Sequence, residues 1–128
     1  MRIENIAIWV KVLEGMRLYY EKFFDAKSGE KYVNSEKKFS SYFLSFESGC
    51  RMEIMEMEGV EENTSKTGLD TGLIHFAIAL GNEASVCDKT EELRKSGFQI
   101  AGEPRWTGDG YFESVALDPE GNRVEITI

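Results

Sequence analysis

Along several short stretches of the chain, apolar and polar side chains alternate with a period of two. Ile6, Ile8 and Val10 alternate with Asn5, Ala7 and Trp9, and Phe76, Ile78 and Leu80 with His75, Ala77 and Ala79. This is the pattern of strands with one buried face. Between them the period changes. Leu13, Met16, Tyr20, Phe23 and Phe24 recur at helical spacing, as do Val86, Thr90 and Leu93, the latter series closed by Arg94-Lys95-Ser96-Gly97. Two amphipathic helices are predicted. Further strands are predicted over Lys31 to Val33, Ser40 to Phe46, Arg51 to Met57, Phe98 to Ala101, Tyr111 to Asp118 and Arg123 to Ile128. Tight turns fall at Glu47-Ser48-Gly49 and Asp118-Pro119-Glu120-Gly121-Asn122, where Pro fixes φ and Gly accepts a positive one.

The order strand, helix, three strands occurs twice, and the two copies align. Ile3 to Val10 overlies Leu73 to Leu80, placing His75 seventy positions after Asn5. Ser48 to Ile54 overlies Glu120 to Ile126, with Gly, Arg, Glu and Ile coincident, so that Glu125 falls seventy-two positions after Glu53. The expected fold is α+β, two βαβββ modules in tandem within one domain spanning 1–128. Module one covers about 1–58 and module two about 73–128. The segment of about 59–72, rich in Glu, Thr, Gly, Asn and Ser and without periodicity, is the expected linker.

Composition narrows what such a chain does. At 128 residues, 41% hydrophobic with fifteen aromatics, it can bury a core. No apolar run approaches the roughly 20 residues a membrane-spanning helix needs, and Met1 leads directly into a strand pattern without an export signal. A cytoplasmic protein with no membrane partner is expected, its Cys50 and Cys87 reduced. A net charge of −8 argues against nucleic acid and leaves small molecules, metals and cationic ligands.

Strand alternation supplies the candidate chemistry. With Met52 and Ile54, or Val124 and Ile126, turned toward a helix, Glu53 and Glu125 fall on the opposite face, the side that also carries Asn5 and His75. If two curled sheets enclose a polar cavity, these four residues converge as oxygen and nitrogen ligands of one divalent ion. His75, the sole histidine, would by itself be read more simply as structural; the matching glutamates favour ligation.

These segments resemble the vicinal oxygen chelate superfamily, which includes glyoxalase I, bleomycin and fosfomycin resistance proteins, methylmalonyl-CoA epimerases and extradiol dioxygenases. The carriers are Ile3 to Trp9, Arg51-Met52-Glu53-Ile54, Gly72 to Ala77 and, most specifically, Leu117 to Ile126. The chain is most similar to the short glyoxalase I-like proteins. That resemblance implies a metal-dependent isomerase, of the lactoylglutathione lyase type, acting on the hemithioacetal of a 2-oxoaldehyde and a thiol through an enediolate. It implies Asn5, Glu53, His75 and Glu125 as ligands of one Zn, Ni or Co ion, with Glu125 first and Glu53 second as catalytic base. Where Asn5 stands, active members normally carry His; an amide oxygen favours a harder metal, or the site is degenerate and holds none. A homodimer is also expected, from exposed sheet edges.

The main rival belongs to another class, a metal-free protein that binds a bleomycin-type drug, which the acidity suits; a third reading, an acyl-CoA epimerase, shares the enolate chemistry. One histidine cannot supply the two that an extradiol dioxygenase needs, and no Gly-x-Ser-x-Gly nucleophile elbow is present. Trp9, Phe39, Tyr42, Trp106, Tyr111 and Phe112 are expected chiefly as core or dimer-interface packing, and the segment Arg105 to Glu113 as a pocket rim. Glu113 is a candidate second acid-base group, and Arg51, Arg105 and Arg123 are candidate cations for the thiol component.

Overall fold

The alternation pattern resolves into two sheets, each with one helix, in a computed structural model that describes residues 1–63, 69 and 71–128. The centre of the expected linker, 64–68 and 70, lies outside the described residues. Two compact units result, residues 1–64 and 65–128.

In the first unit the elements run β1 (Asn5–Trp9), α1 (Leu13–Phe24), β2 (Lys27–Ser28), β3 (Tyr32–Asn34), β4 (Phe39–Ser45) and β5 (Arg51–Met57). The sheet order is β1-β5-β4-β2, with β3 also paired to β4. Only one strand was expected where β2 and β3 stand, and the register explains the difference. Ser28 pairs with Leu44 and Tyr32 with Ser41, so Gly29-Glu30-Lys31 oppose only Tyr42-Phe43. A single edge strand is thus interrupted by one extra residue, in the manner of a β-bulge. The unit is βαβββ with its second strand broken.

The second unit repeats this plan with β6 (His75–Ala79), α2 (Glu83–Lys95), β7 (Ile100–Trp106), β8 (Phe112–Leu117) and β9 (Arg123–Thr127), in sheet order β6-β9-β8-β7. Here β7 runs further than the expected 98–101. It takes in Arg105 and Trp106, the start of the segment expected as a pocket rim, and carries two register shifts against β8. Pro104 is tolerated because β7 is an edge strand. Both units bear out the α+β class.

The cores form where the periods predict. Leu13, Met16, Tyr20, Phe23 and Phe24 are buried on α1, joined by Tyr19; Val86, Thr90 and Leu93 are buried on α2. Opposite them Met52, Ile54, Val124 and Ile126 are almost wholly inaccessible. Each such side chain contributes roughly 1.5–3 kcal/mol relative to exposure. Asn82 caps α2 by accepting from the Ser85 amide at 2.9 Å, and Gly97, at φ 91°, follows its last turn. α1 begins at Val12, which offers no capping side chain, and Glu56 of β5 accepts from the Leu13 amide at 3.3 Å instead. Among the described residues no helix is long and apolar enough to cross a membrane.

One polar contact is sealed inside the second core. The Thr90 hydroxyl lies 2.6 Å from the Val86 carbonyl and 2.7 Å from Ser114 Oγ, with both residues fully buried. Thr90→Val should therefore lower unfolding free energy by about 1–3 kcal/mol, because Ser114 is left without its partner. In chemical denaturation, adding Ser114→Ala should restore part of that loss; strictly additive losses would show that the two hydroxyls are not coupled.

Candidate functional site

β1 pairs with β5 in parallel, Asn5 opposite Arg51 and Ala7 opposite Glu53. β6 pairs with β9 identically, His75 opposite Arg123 and Ala77 opposite Glu125. The repeat is therefore one of register as well as sequence. Because Met52 and Ile54 are sealed beneath α1, and Val124 and Ile126 beneath α2, Glu53 and Glu125 must emerge on the helix-free face of their sheets. Asn5 and His75, diagonal to them on the adjacent edge strand, share that face.

In the second unit the pair is in contact: His75 Nε2 lies 3.1 Å from Glu125 Oε2, with the imidazole 39% and the carboxylate 17% exposed. Burial pushes the Glu125 carboxyl above its ordinary value of 4.5, an effect opposed by the charge of His75, reinforced by Glu113 and further opposed by Arg105 and Arg123. Glu113, from β8, is 3.5 Å from Arg105 Nη2. The helix-free face of this unit thus carries His75, Glu125, Glu113, Arg105 and Arg123. Two donors each about 2.0–2.1 Å from a shared ion stand about 2.9 Å apart at a right angle and about 3.4 Å apart at the tetrahedral angle. The His75 to Glu125 separation falls between these, so this nitrogen and oxygen pair fits a divalent ion.

The first unit presents Glu53 half-buried and, among the described residues, in no ion pair. Its neighbours on that face are largely aromatic. Phe39 makes edge-on contacts with Trp9 at 6.1 Å and with Tyr32 at 5.9 Å. Trp9 and Tyr32 are about half exposed. Tyr32 falls within the strand expected over Lys31 to Val33 but is not among the candidate aromatics, because three residues are too few to show which face a side chain takes. Of the other aromatics, Phe112 is buried in the core, whereas Trp106 and Tyr111 are exposed in the single chain. The Tyr42 hydroxyl donates to Glu14 of α1 at 3.0 Å, on the opposite side from Glu53.

The four expected ligands are therefore two pairs, one per unit, each on the face its alternation predicts. Among the described residues no group of three or more His, Cys, Asp or Glu side chains is placed to hold a metal ion.

The family description Glyoxalase/Bleomycin resistance protein/Dioxygenase superfamily matches residues 2–126. The chain belongs to this superfamily. Glyoxalase I from Zea mays is similar in structure, with 26% identity and a TM-score of 0.80 over 98% of this chain and 44% of that one. This chain thus spans less than half the length of that relative. The trypanothione-dependent glyoxalase I of Leishmania major is 22% identical, with a TM-score of 0.79 over 99% of this chain and 86% of that chain. A glyoxylase/bleomycin resistance protein/dioxygenase domain from Frankia sp. is 15% identical, with a TM-score of 0.83 over 100% and 97% respectively. At those identities the likeness is one of superfamily fold. No curated protein matches the chain.

The electrostatics of Glu125 are directly measurable. Carbon-detected NMR titration of the metal-free protein should place its midpoint above 4.5, and His75→Gln, which removes the opposing cation, should raise it further. A carboxyl raised on folding favours the folded state most below its unfolded value and loses that advantage as pH climbs through the raised midpoint. Stability should accordingly decline with rising pH just above 4.5, and Glu125→Gln should flatten that decline. A midpoint at or below 4.5 would contradict the burial.

Proposed function

We propose that this protein is a glyoxalase I-like isomerase whose substrate is the hemithioacetal of a 2-oxoaldehyde and a thiol. The observation that carries the reading is the 3.1 Å pairing of His75 with a partly desolvated Glu125 on the helix-free face of the second sheet. Superfamily membership and the 26% identity to a glyoxalase I support it.

In this reading Asn5, Glu53, His75 and Glu125 would hold one divalent ion, Zn, Ni or Co, or a harder metal in view of the amide at Asn5. When bound, that ion supplies Lewis-acid polarisation of the substrate carbonyl and stabilises the negative charge that develops there. The protein supplies the proton movement. Glu125, its proton affinity already raised by burial, takes the proton from the carbon bearing the hydroxyl and returns it to the neighbouring carbon, while the hydroxyl proton passes to the former carbonyl oxygen, giving the thioester of a 2-hydroxy acid. Glu53 is the second candidate for that step. The nearby Glu113 keeps negative charge close to Glu125 and so sustains its basicity. A homodimer is part of the reading, supported by β1 and β6, which stand at the edges of their sheets. So is a cytoplasmic setting, which suits two free cysteines, Cys50 and Cys87.

A second reading is favoured by the edge-packed row of Trp9, Phe39 and Tyr32: metal-free binding of a planar, cationic drug of the bleomycin type, which aromatic rings and a charge of −8 would attract. One set of measurements separates the two. Under the first, purified protein carries about one divalent ion per site, Asn5→His binds that ion more tightly, and activity on methylglyoxal plus a thiol falls by roughly 10²–10⁴ in Glu125→Gln. Negligible metal in wild type and Asn5→His alike, with no activity after metal addition, would defeat it.

A further inference from the structure

The two copies of the module can be compared residue by residue, and one position differs in what surrounds it rather than in what it is. Arg51 and Arg123 each precede the candidate glutamate by two residues and pair in the same register with Asn5 and His75. In the first unit Arg51 is fully engaged. Its Nε and Nη2 lie 2.7 and 2.6 Å from Glu4 Oε1, and its guanidinium sits 4.1 Å from the centroid of the Phe43 ring. In the second unit both partners are gone: Ile74 occupies the place of Glu4, and Val115 that of Phe43.

Among the described residues the Arg123 guanidinium forms no ion pair and lies over no aromatic ring. It is half-buried, and it shares the helix-free face with His75 and Glu125, because Val124 between them is sealed beneath α2. A second cation reaches the same face. Two extra residues in β7 bring Arg105 opposite Glu113, while Glu103 instead lies 2.6 Å from Arg94 of α2. With 23 acidic residues against 15 basic ones, carboxylates are plentiful, yet among the described residues none forms an ion pair with Arg123, although its charge is felt by Glu125.

From this contrast between the repeats we infer that Arg123 is a substrate-binding residue. It takes an anionic group, a carboxylate or phosphate, carried on the part of the substrate that does not react. The inference rests on the helix-free face of the second unit being the substrate face, as in the proposed function, and it names the substrate class as anionic. Two residues along a strand span roughly 6–7 Å, so the anionic group would lie a few bonds from the atoms that Glu125 serves. A guanidinium, with five fixed donors, suits either oxyanion.

The test reads binding, without turnover. Metal-free protein is titrated with 3-mercaptopropionate, with inorganic phosphate and with the uncharged 2-mercaptoethanol, following the arginine Nε–Hε signals by NMR. At least one anion should shift the Arg123 signal but not that of Arg51, and the tighter of the two identifies the group. Arg123→Gln should weaken that anion about tenfold, Arg123→Lys less, and Arg51→Gln not at all. Binding of 2-mercaptoethanol should be insensitive to every substitution. If neither anion shifts Arg123, or both bind Arg123→Gln as well as wild type, the inference is overturned. Because no catalysis is measured, that result leaves the isomerase reading standing, and an inactive protein that still binds anions through Arg123 leaves this inference standing.

Discussion

The parallel pairing of the first and last strands of each unit, with every second side chain of the last strand sealed under a helix, is the constraint on which the rest depends. Met52 and Ile54 in one copy, and Val124 and Ile126 in the other, have no alternative burial, and a shift of one residue would expose them and bury a glutamate. The hydrophobic effect therefore fixes the register, and the register fixes where the carboxylates emerge. The candidate chemistry follows from core packing.

The same constraint shows how two copies of one unit diverge without losing their fold. Positions under the helices remain apolar, whereas positions on the open faces are free to change: Asn5 against His75, Phe43 against Val115, Glu4 beside Arg51 against Ile74 beside Arg123. The first unit became aromatic there, with Trp9, Phe39 and Tyr32 in edge contact. The second became polar, gathering His75, Glu125, Glu113 and two arginines.

Periodicity made much of this legible beforehand. Both helices, the last strand of each unit and the faces of Asn5, Glu53, His75 and Glu125 follow from spacing alone, because each is enforced by a long, regular apolar pattern. The edge strands were read less well. The broken strand of Lys27–Ser28 and Tyr32–Asn34, and the extension of the seventh strand to Trp106, depend on extra residues inserted into the pairing, which interrupt the alternation that a reader relies on. Side-chain partnerships such as Arg51 with Glu4, or Thr90 with Ser114, join residues 47 and 24 positions apart and leave no local signature.

The proposed function requires residues 5, 53, 75 and 125 to share one ion. Paramagnetic Mn²⁺, added in small proportion to isotopically labelled protein, tests it without reference to any substrate. The account predicts that resonances at all four positions broaden together and are restored by a diamagnetic competitor such as Zn²⁺. Broadening at 75 and 125 with 5 and 53 untouched, or centred on any other part of the chain, would contradict it.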